Sequence, residues 1–121
     1  MDSLSFYIIL ESFVSLLGEY FKAMKQGKKT VEVRLNDEKR RKIKVGDTIA
    51  FMKVPEKDET INVQVTELRQ YDTFQAMYED IPFQAFDCEG WTMQEMLEGT
   101  YEIYSPQQEE QWGALAITIK Y

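Results

Sequence analysis

The hydrophobic period of this chain changes at Gly27, and no other feature of the sequence constrains the fold as strongly. Before Gly27, apolar residues recur at helical spacing over residues 13–24, which predicts an amphipathic helix with one face in a core. After it, Val31, Val33 and Leu35 alternate with polar residues, which predicts a strand. A glycine can adopt the left-handed conformation that ends a helix, so the pattern predicts a helix–turn–strand unit.

Further segments predict four more strands and three short helices. Apolar or alternating runs indicate strands at residues 6–10, 48–54, 61–69 and 114–120. Helical spacing, a capping box and a Ser-Pro start indicate helices near residues 74–81, 92–99 and 105–113. These elements predict an α+β fold with a small mixed sheet or barrel of five to six strands, forming a single domain over residues 1–121. We expect one core, which includes Phe13, Leu16, Tyr20, Val31, Val33, Ile49, Phe51, Val63, Val65, Leu115 and Ile117.

The composition excludes several classes of chemistry. The chain has no histidine, which excludes histidine-dependent triads and histidine-ligated metal sites. Its one cysteine, Cys88, excludes an internal disulfide and fits a reducing compartment. The apolar run at residues 4–17 is short, is interrupted by Glu11 and lacks a basic start, so it predicts neither a signal peptide nor a membrane span. We therefore predict a cytoplasmic protein without a metal or a cofactor.

The charges of the chain are unevenly distributed. The net charge is −7, which argues against nucleic-acid binding by bulk electrostatics alone. Residues 22–44 nevertheless hold ten of the fourteen basic residues and three acidic ones, so this segment carries +7. We call residues 22–44 the basic segment. It predicts either a surface for a phosphate-bearing ligand or a solvated turn that serves solubility.

Residues 27–34 read Gly-Lys-Lys-Thr-Val-Glu-Val-Arg and match the pattern G-x-K-x-x-E-x-R. This pattern lies between a helix and a strand, and the pair Gly46-Asp47 and a closing apolar strand follow it. In this order the chain resembles the ASCH family, named for homology with a transcriptional coactivator, over about residues 13–120. The resemblance implies a PUA-like β-barrel and a site at Gly27, Lys29, Glu32 and Arg34.

The residue types of this motif suit a polar ligand. Strand alternation places Glu32 and Arg34 on one face, where Arg34 offers a donor fork for phosphate or a base edge and Glu32 can accept from an amine. Spacing alone favours Lys28 beside Glu32, whereas the family pattern favours Lys29, which requires the Gly27 turn to reset the alternation. The alternative is a structural network of ion pairs.

One branch of the family adds an enzymatic hypothesis. Small bacterial ASCH proteins include an amidohydrolase that removes acetate from N(4)-acetylcytidine with a lysine, a threonine and a glutamate. The resemblance assigns its lysine to Lys29 and its glutamate to Glu89, but its threonine position holds Glu32. A carboxylate offers different chemistry from a hydroxyl, so the same reaction would need Glu32 or Glu89 to activate water and Lys29 to stabilise the oxyanion.

Three other features are considered as functional candidates. Cys88 lies between two acids, which predicts a buried and unreactive thiol. Trp91 precedes the predicted helix cap, so it either packs on Met96 as a hydrophobic staple or stacks on a base. The pair Glu109-Glu110 is predicted to lie on the protein surface.

Our leading hypothesis is a domain that recognises RNA or a nucleoside. An amidohydrolase acting on an acylated cytidine or a related small amide is the first alternative, and a protein–protein adaptor is the second. The catalytic candidates, which apply only to a hydrolase, are Lys29, Glu32 and Glu89. The ligand-binding candidates are Lys28, Lys29, Glu32, Arg34, Arg40, Arg41, Lys42 and Trp91.

Overall fold

A computed structural model describes residues 5–9, 22–52 and 59–121 of the chain. Its strands form one sheet in the order β1-β3-β4-β5-β2, in which only the β1–β3 pair is parallel. The strands are β1 (Ser5–Ile9), β2 (Val31–Leu35), β3 (Thr48–Met52), β4 (Thr60–Tyr71) and β5 (Ala114–Lys120). The four antiparallel strands curl into a half-barrel, so the α+β prediction is confirmed. The half-barrel is consistent with the predicted β-barrel fold, and among the described residues β1 and β2 stand at the two ends of the sheet order.

Three short helices lie between β4 and β5: α1 (Phe74–Asp80), α2 (Met93–Tyr101) and α3 (Pro106–Trp112). Their starts are set by local chemistry, because each N-cap hydroxyl accepts a backbone N–H that the helix itself leaves unpaired. The capping box predicted at Thr92 and Glu95 is present, and Ser105 forms a second one with Gln108. Two 3₁₀ turns, Arg40–Lys42 and Phe83–Ala85, complete the described elements.

The turn at Gly27 has the predicted geometry. Residues 22–25 are helical, Gly27 has a φ of 75°, and its N–H donates to the Met24 carbonyl at 3.0 Å. That φ is unfavourable for a residue with a Cβ, which explains the glycine. The helical stripe predicted over residues 13–21 lies outside the described residues, as does most of the charged loop predicted at residues 55–60.

The buried apolar residues form two clusters, so the prediction of one core is wrong. The first lies on the inner face of the half-barrel: Met24, Ile43, Ile49, Phe51, Ile61, Val63, Val65, Leu115, Ile117 and Ile119. The second joins β2 and β5 to the helices: Val31, Leu35, Phe74, Met77, Tyr78, Ile81, Phe86, Cys88, Met96, Ala114 and Ala116. Val31 lies in this second cluster and the half-buried Val33 packs against it, because they stand opposite Thr118 and Ala116 and thus on the other side of the sheet from Ile117.

The described residues lack a membrane-spanning helix and a metal-binding cluster. No helix among them is long and apolar enough to cross a bilayer. They also contain no group of three histidine, cysteine or acidic side chains arranged to hold a metal ion.

Candidate functional site

Pairing of β2 with β5 determines where the charged residues of β2 lie. Glu32 stands opposite Ile117 and Arg34 opposite Leu115. Directly opposed residues of an antiparallel pair share a face, so both charged side chains start on the face of the first apolar cluster. The alternating pattern of this strand thus separates two buried faces, one charged and one apolar, instead of separating core from solvent.

Lys29, Glu32 and Arg34 form one buried ionic cluster, which we call the Lys29–Glu32–Arg34 cluster. The Lys29 Nζ is 3.0 Å from Glu32 Oε1, and the Arg34 Nη2 is 3.3 Å from Glu32 Oε2. The three residues are 5%, 7% and 8% exposed. Charges removed from water to this extent require partners, and one carboxylate here serves two cations.

This cluster seals the edge of β2. The strand is last in the sheet order, so one of its edges has no strand neighbour among the described residues. The Val31 carbonyl accepts a hydrogen bond from Lys29 Nζ at 2.6 Å, and the Val33 N–H donates to Glu32 Oε1 at 3.0 Å. Side chains therefore take up main-chain groups that a further strand would otherwise pair with.

The surroundings of Glu32 and Arg34 favour the ionised forms of these two residues. Burial by itself would raise the pKa of Glu32, but the cations Lys29 and Arg34, with hydrogen bonds from Lys29 and the Val33 N–H, lower it below 4.5. Burial would lower the pKa of Arg34, yet Glu32 and the Tyr104 hydroxyl raise it. At neutral pH the cluster therefore carries two positive charges and one negative charge.

Lys29 occupies the position beside Glu32, and Lys28 is exposed to solvent. The reason is the Gly27 turn: the Lys28 and Lys29 N–H groups both donate to the Ala23 carbonyl, so neither lies in the regular strand. The alternation of β2 begins only at Val31. The lysine suggested by the family pattern thus lies in the cluster, and the lysine suggested by spacing lies at its rim.

A second segment lies against the first. Thr30 N–H donates to the Ala85 carbonyl at 2.9 Å, and Lys29 forms an isolated bridge with Phe86. Cys88 is buried as predicted, and burial raises its pKa against the opposing effect of Lys29. The next residues in this segment, Glu89 and Trp91, are exposed, with Trp91 at 41%. Glu89 is therefore exposed to solvent and is not part of the buried cluster.

Tyr104 is a site residue that sequence reasoning missed. Its hydroxyl hydrogen-bonds the Arg34 guanidinium, and its ring stacks on Phe74 with centroids 5.6 Å apart. Burial raises the pKa of Tyr104, with the charges of Arg34 and Arg40 opposing the rise. The one local signal was its place directly before the Ser105 cap, the same place that Trp91 has before Thr92.

The remaining basic candidates lie beyond the end of β2 and have different surroundings. Arg40 pairs with Asp37 at 3.0 Å. Arg41 donates to the Asn36 carbonyl at 2.8 Å, and its guanidinium lies 5.6 Å from the centre of the Trp112 ring. Lys42 is exposed. Arg40 and Arg41 thus stabilise the turn in which they lie, while Lys42 is available to a ligand.

Glu109 is buried, so the prediction that it lies on the surface is wrong. It is 8% exposed, and it accepts from the Phe74 N–H and the Tyr101 hydroxyl, both at 2.7 Å. It thereby ties α3 to the start of α1 and to the end of α2. Position 109 falls on the same helical face as Trp112, which was the available sequence signal.

A scan against protein-family models matches the ASCH domain over residues 14–121. The chain belongs to the ASCH domain family. In this ASCH domain the helix–turn–strand unit, the signature glycine and the three charged signature residues form the Lys29–Glu32–Arg34 cluster and the turn that leads into it.

Solved structures of similar proteins support the same fold. The ASCH domain is 30% identical to the hypothetical protein PH0355, whose crystal structure matches 97% of this chain and 98% of that one with a TM-score of 0.80. It is 29% identical to protein PF0455 from Pyrococcus furiosus, a solution NMR structure, over 97% and 96% of the two chains with a TM-score of 0.68. No curated protein matches the chain.

Proposed function

We propose that this ASCH domain recognises single-stranded RNA or a nucleoside along the sealed edge of β2. The observation that carries the proposal is the arrangement of the Lys29–Glu32–Arg34 cluster, in which two cations share one carboxylate. The cluster holds one positive charge in excess, directly beside a strand edge. An anionic or strongly polar ligand would balance that excess.

The rim of the site supports a phosphate-bearing ligand. Lys28 is exposed next to Lys29 at the start of β2, and Lys39 and Lys42 are exposed beyond its end. Burial raises the pKa of Tyr104, and the positive charges of Arg34 and Arg40 both oppose that rise. Cations therefore follow the edge of β2, and such a line suits the backbone of a single strand.

Arg34, Trp91 and a cleft beside Lys29 each offer a means of recognising a base. Arg34 has a buried Nε without a hydrogen-bond partner among the described residues, so its donor capacity is not exhausted by Glu32. Trp91, 41% exposed, offers an aromatic face to a base. A cleft of about 350 Å³ beside Lys29, between the Gly27 turn and the end of β5, lies within the size range of small-molecule sites, roughly 300–1,000 Å³.

The geometry favours binding over amide hydrolysis. A carboxylate whose pKa is lowered below 4.5 is a weak general base at neutral pH. Lys29 already donates to the Val31 carbonyl and to Glu32. Hydrolysis would then depend on Glu89, which is exposed to solvent. The charges of the cluster serve a bound ligand better than they serve proton transfer.

A binding titration with a matched pair of variants tests the proposal. Labelled single-stranded RNA is titrated by fluorescence anisotropy at several salt concentrations, and cytidine and N(4)-acetylcytidine are titrated by NMR. Arg34→Lys keeps the charge but removes the donor fork, so we expect about a tenfold loss of affinity. Arg69→Lys makes the same change outside the basic segment, at a residue paired with Glu67, and should have little effect.

The results separate the alternatives. Salt-dependent RNA binding, or nucleoside-induced shifts at residues 28–34, with a selective loss in Arg34→Lys, supports the proposal. Acetate release from N(4)-acetylcytidine would establish the hydrolase instead. If neither RNA nor nucleoside binds, or if Arg69→Lys weakens binding as much as Arg34→Lys, the proposal is wrong.

A further inference from the structure

The helical layer carries a charge opposite to that of the basic segment. Residues 70–119 contain ten acidic residues and no lysine or arginine. Two of the large hydrophobic side chains that remain exposed in the described part of the chain lie at the end of α2, Tyr101 at 38% and Ile103 at 41%. An RNA-binding site does not explain this surface, because its charge repels phosphate.

The flank of α2 beside the second apolar cluster has a defined pattern, and Met93 and Leu97 on it are half-buried against that cluster. Met93, Leu97 and Tyr101 are four residues apart and therefore lie in one row along the helix. Together with a parallel row of Gln94, Glu98 and Glu102 they line a shallow groove of about 740 Å³. We call this surface the α2 groove. One side of it is apolar and the other is acidic.

We propose that the α2 groove docks a basic amphipathic helix of another protein. An apolar row on a helix is complementary to a partner helix whose own apolar residues recur every three or four positions. Lysine or arginine residues beside those anchors would lie against Glu98 and Glu102, with no cation between residues 70 and 119 to repel them. The nine residues of α2 span about 13 Å, which fits a partner segment of about two and a half turns.

The proposed partner has apolar anchors and positive charge together, and the first test uses a peptide with both. A designed helical peptide of about 15 residues, with leucine at every third or fourth position and lysine elsewhere, is titrated into the isotope-labelled full chain. We expect NMR shifts that concentrate at residues 93–103. A peptide of the same composition in scrambled order removes the apolar row, and a peptide with glutamate in place of lysine reverses the charge; neither should bind.

Charge-reversal variants on the protein provide the second test, since exposed residues can be changed without disturbing the core. Glu98→Lys with Glu102→Lys should weaken binding of the lysine peptide by about tenfold. Glu79→Lys with Glu110→Lys changes the net charge equally, at exposed positions on α1 and α3, and should change binding by less than about twofold. Thermal unfolding of both double variants checks that the fold is retained.

Several results would overturn the proposal. The lysine peptide would not bind, or the scrambled peptide would bind as tightly as the lysine peptide. NMR shifts centred outside residues 93–103, or equal weakening of binding by the two double variants, would also contradict it. Concentration-dependent self-association through residues 93–103 would also overturn it, because the groove would then belong to a second copy of the chain. None of these outcomes depends on RNA, so they leave the proposed function separately testable.

Discussion

Glu32 and Glu109 are buried to almost the same extent, at 7% and 8% exposure, yet they are stabilised in different ways. Glu32 is held by two cations and a backbone N–H. Glu109 is held by a backbone N–H and a tyrosine hydroxyl, both neutral donors. The edge of β2 therefore buries its carboxylate by ion pairing, whereas the helical layer binds Glu109 through neutral hydrogen-bond donors.

The difference distinguishes a candidate binding site from a contact that serves only the structure. An ion-paired carboxylate keeps cations whose charge a ligand can engage, and its stability depends on pH. A carboxylate bound by neutral donors holds helices together and leaves no cation to offer. The comparison therefore agrees with the ligand recognition that we propose for the edge of β2 and gives Glu109 a structural role, and five predictions test it.

The largest effect is expected at Glu32. Glu32→Gln leaves Lys29 and Arg34 as buried cations without their carboxylate, which should cost about 3–5 kcal/mol at neutral pH. Because the folded-state pKa of Glu32 is lowered, its stabilisation is complete above the ordinary value of 4.5 and is lost as the pH falls below it. Denaturant unfolding of both proteins across pH 3–7 measures this, and a constant difference over that range would contradict ion pairing.

The next effect is expected at Ile117, which stands opposite Glu32 and is fully buried. Ile117→Ala leaves a cavity on the inner face of the half-barrel and should cost about 2–5 kcal/mol. Val45→Ala, at a residue that is 62% exposed, is the control and should be nearly neutral. The free energy of unfolding is measured with denaturant. A nearly unchanged value for Ile117→Ala would contradict the burial of this residue in the first apolar cluster.

A smaller effect is expected at Glu109. Its neutral counterpart Glu109→Gln can still accept a hydrogen bond, so the loss should be about 1–3 kcal/mol. Burial and the Glu109 hydrogen bond raise the pKa of Tyr101 to about 12 from 10.0. In the variant that pKa should fall toward 10.0, as followed by tyrosinate absorbance. An unchanged Tyr101 pKa would show that Glu109 does not hold the hydroxyl.

A modest effect is expected from the exposed lysines of the basic turn. Lys39→Ala with Lys42→Ala removes two charges that have no structural role in the turn, whereas Arg40 and Arg41 stabilise it. The slope of log affinity for single-stranded RNA against log salt should become shallower by about 0.7 for each phosphate that the variant no longer neutralises. An unchanged slope would show that RNA does not extend past Arg34 to this turn.

The smallest signal is expected from hydrolysis. With Glu32 ionised at neutral pH, the natural chain should release little or no acetate from N(4)-acetylcytidine. Glu32→Thr restores the residue type of the amidohydrolase that the family resemblance describes and should raise the release, while Glu89→Gln should abolish it. Robust turnover by the natural chain would overturn the preference for binding.

Local chemistry accounts for what could be predicted. The Gly27 turn, the Thr92–Glu95 capping box and the start of α3 at Ser105 depend on residues within a few positions of one another, so the sequence predicts them directly. The strands β2 and β5 follow from alternation in the same way. The family pattern placed Lys29 ahead of Lys28 because it records the turn that simple alternation ignores.

The set of elements and the family could be predicted from the sequence, since both depend on short-range patterns. The two buried faces of β2 could not, because they depend on its register with β5 some eighty residues later. The contacts of Tyr104 with Arg34 and of Glu109 with Phe74 also depend on the tertiary structure, because the partners are distant in sequence. Whether a charged side chain is solvated, ion-paired or hydrogen-bonded depends on its surroundings. Those surroundings are created by contacts between residues that are distant in sequence.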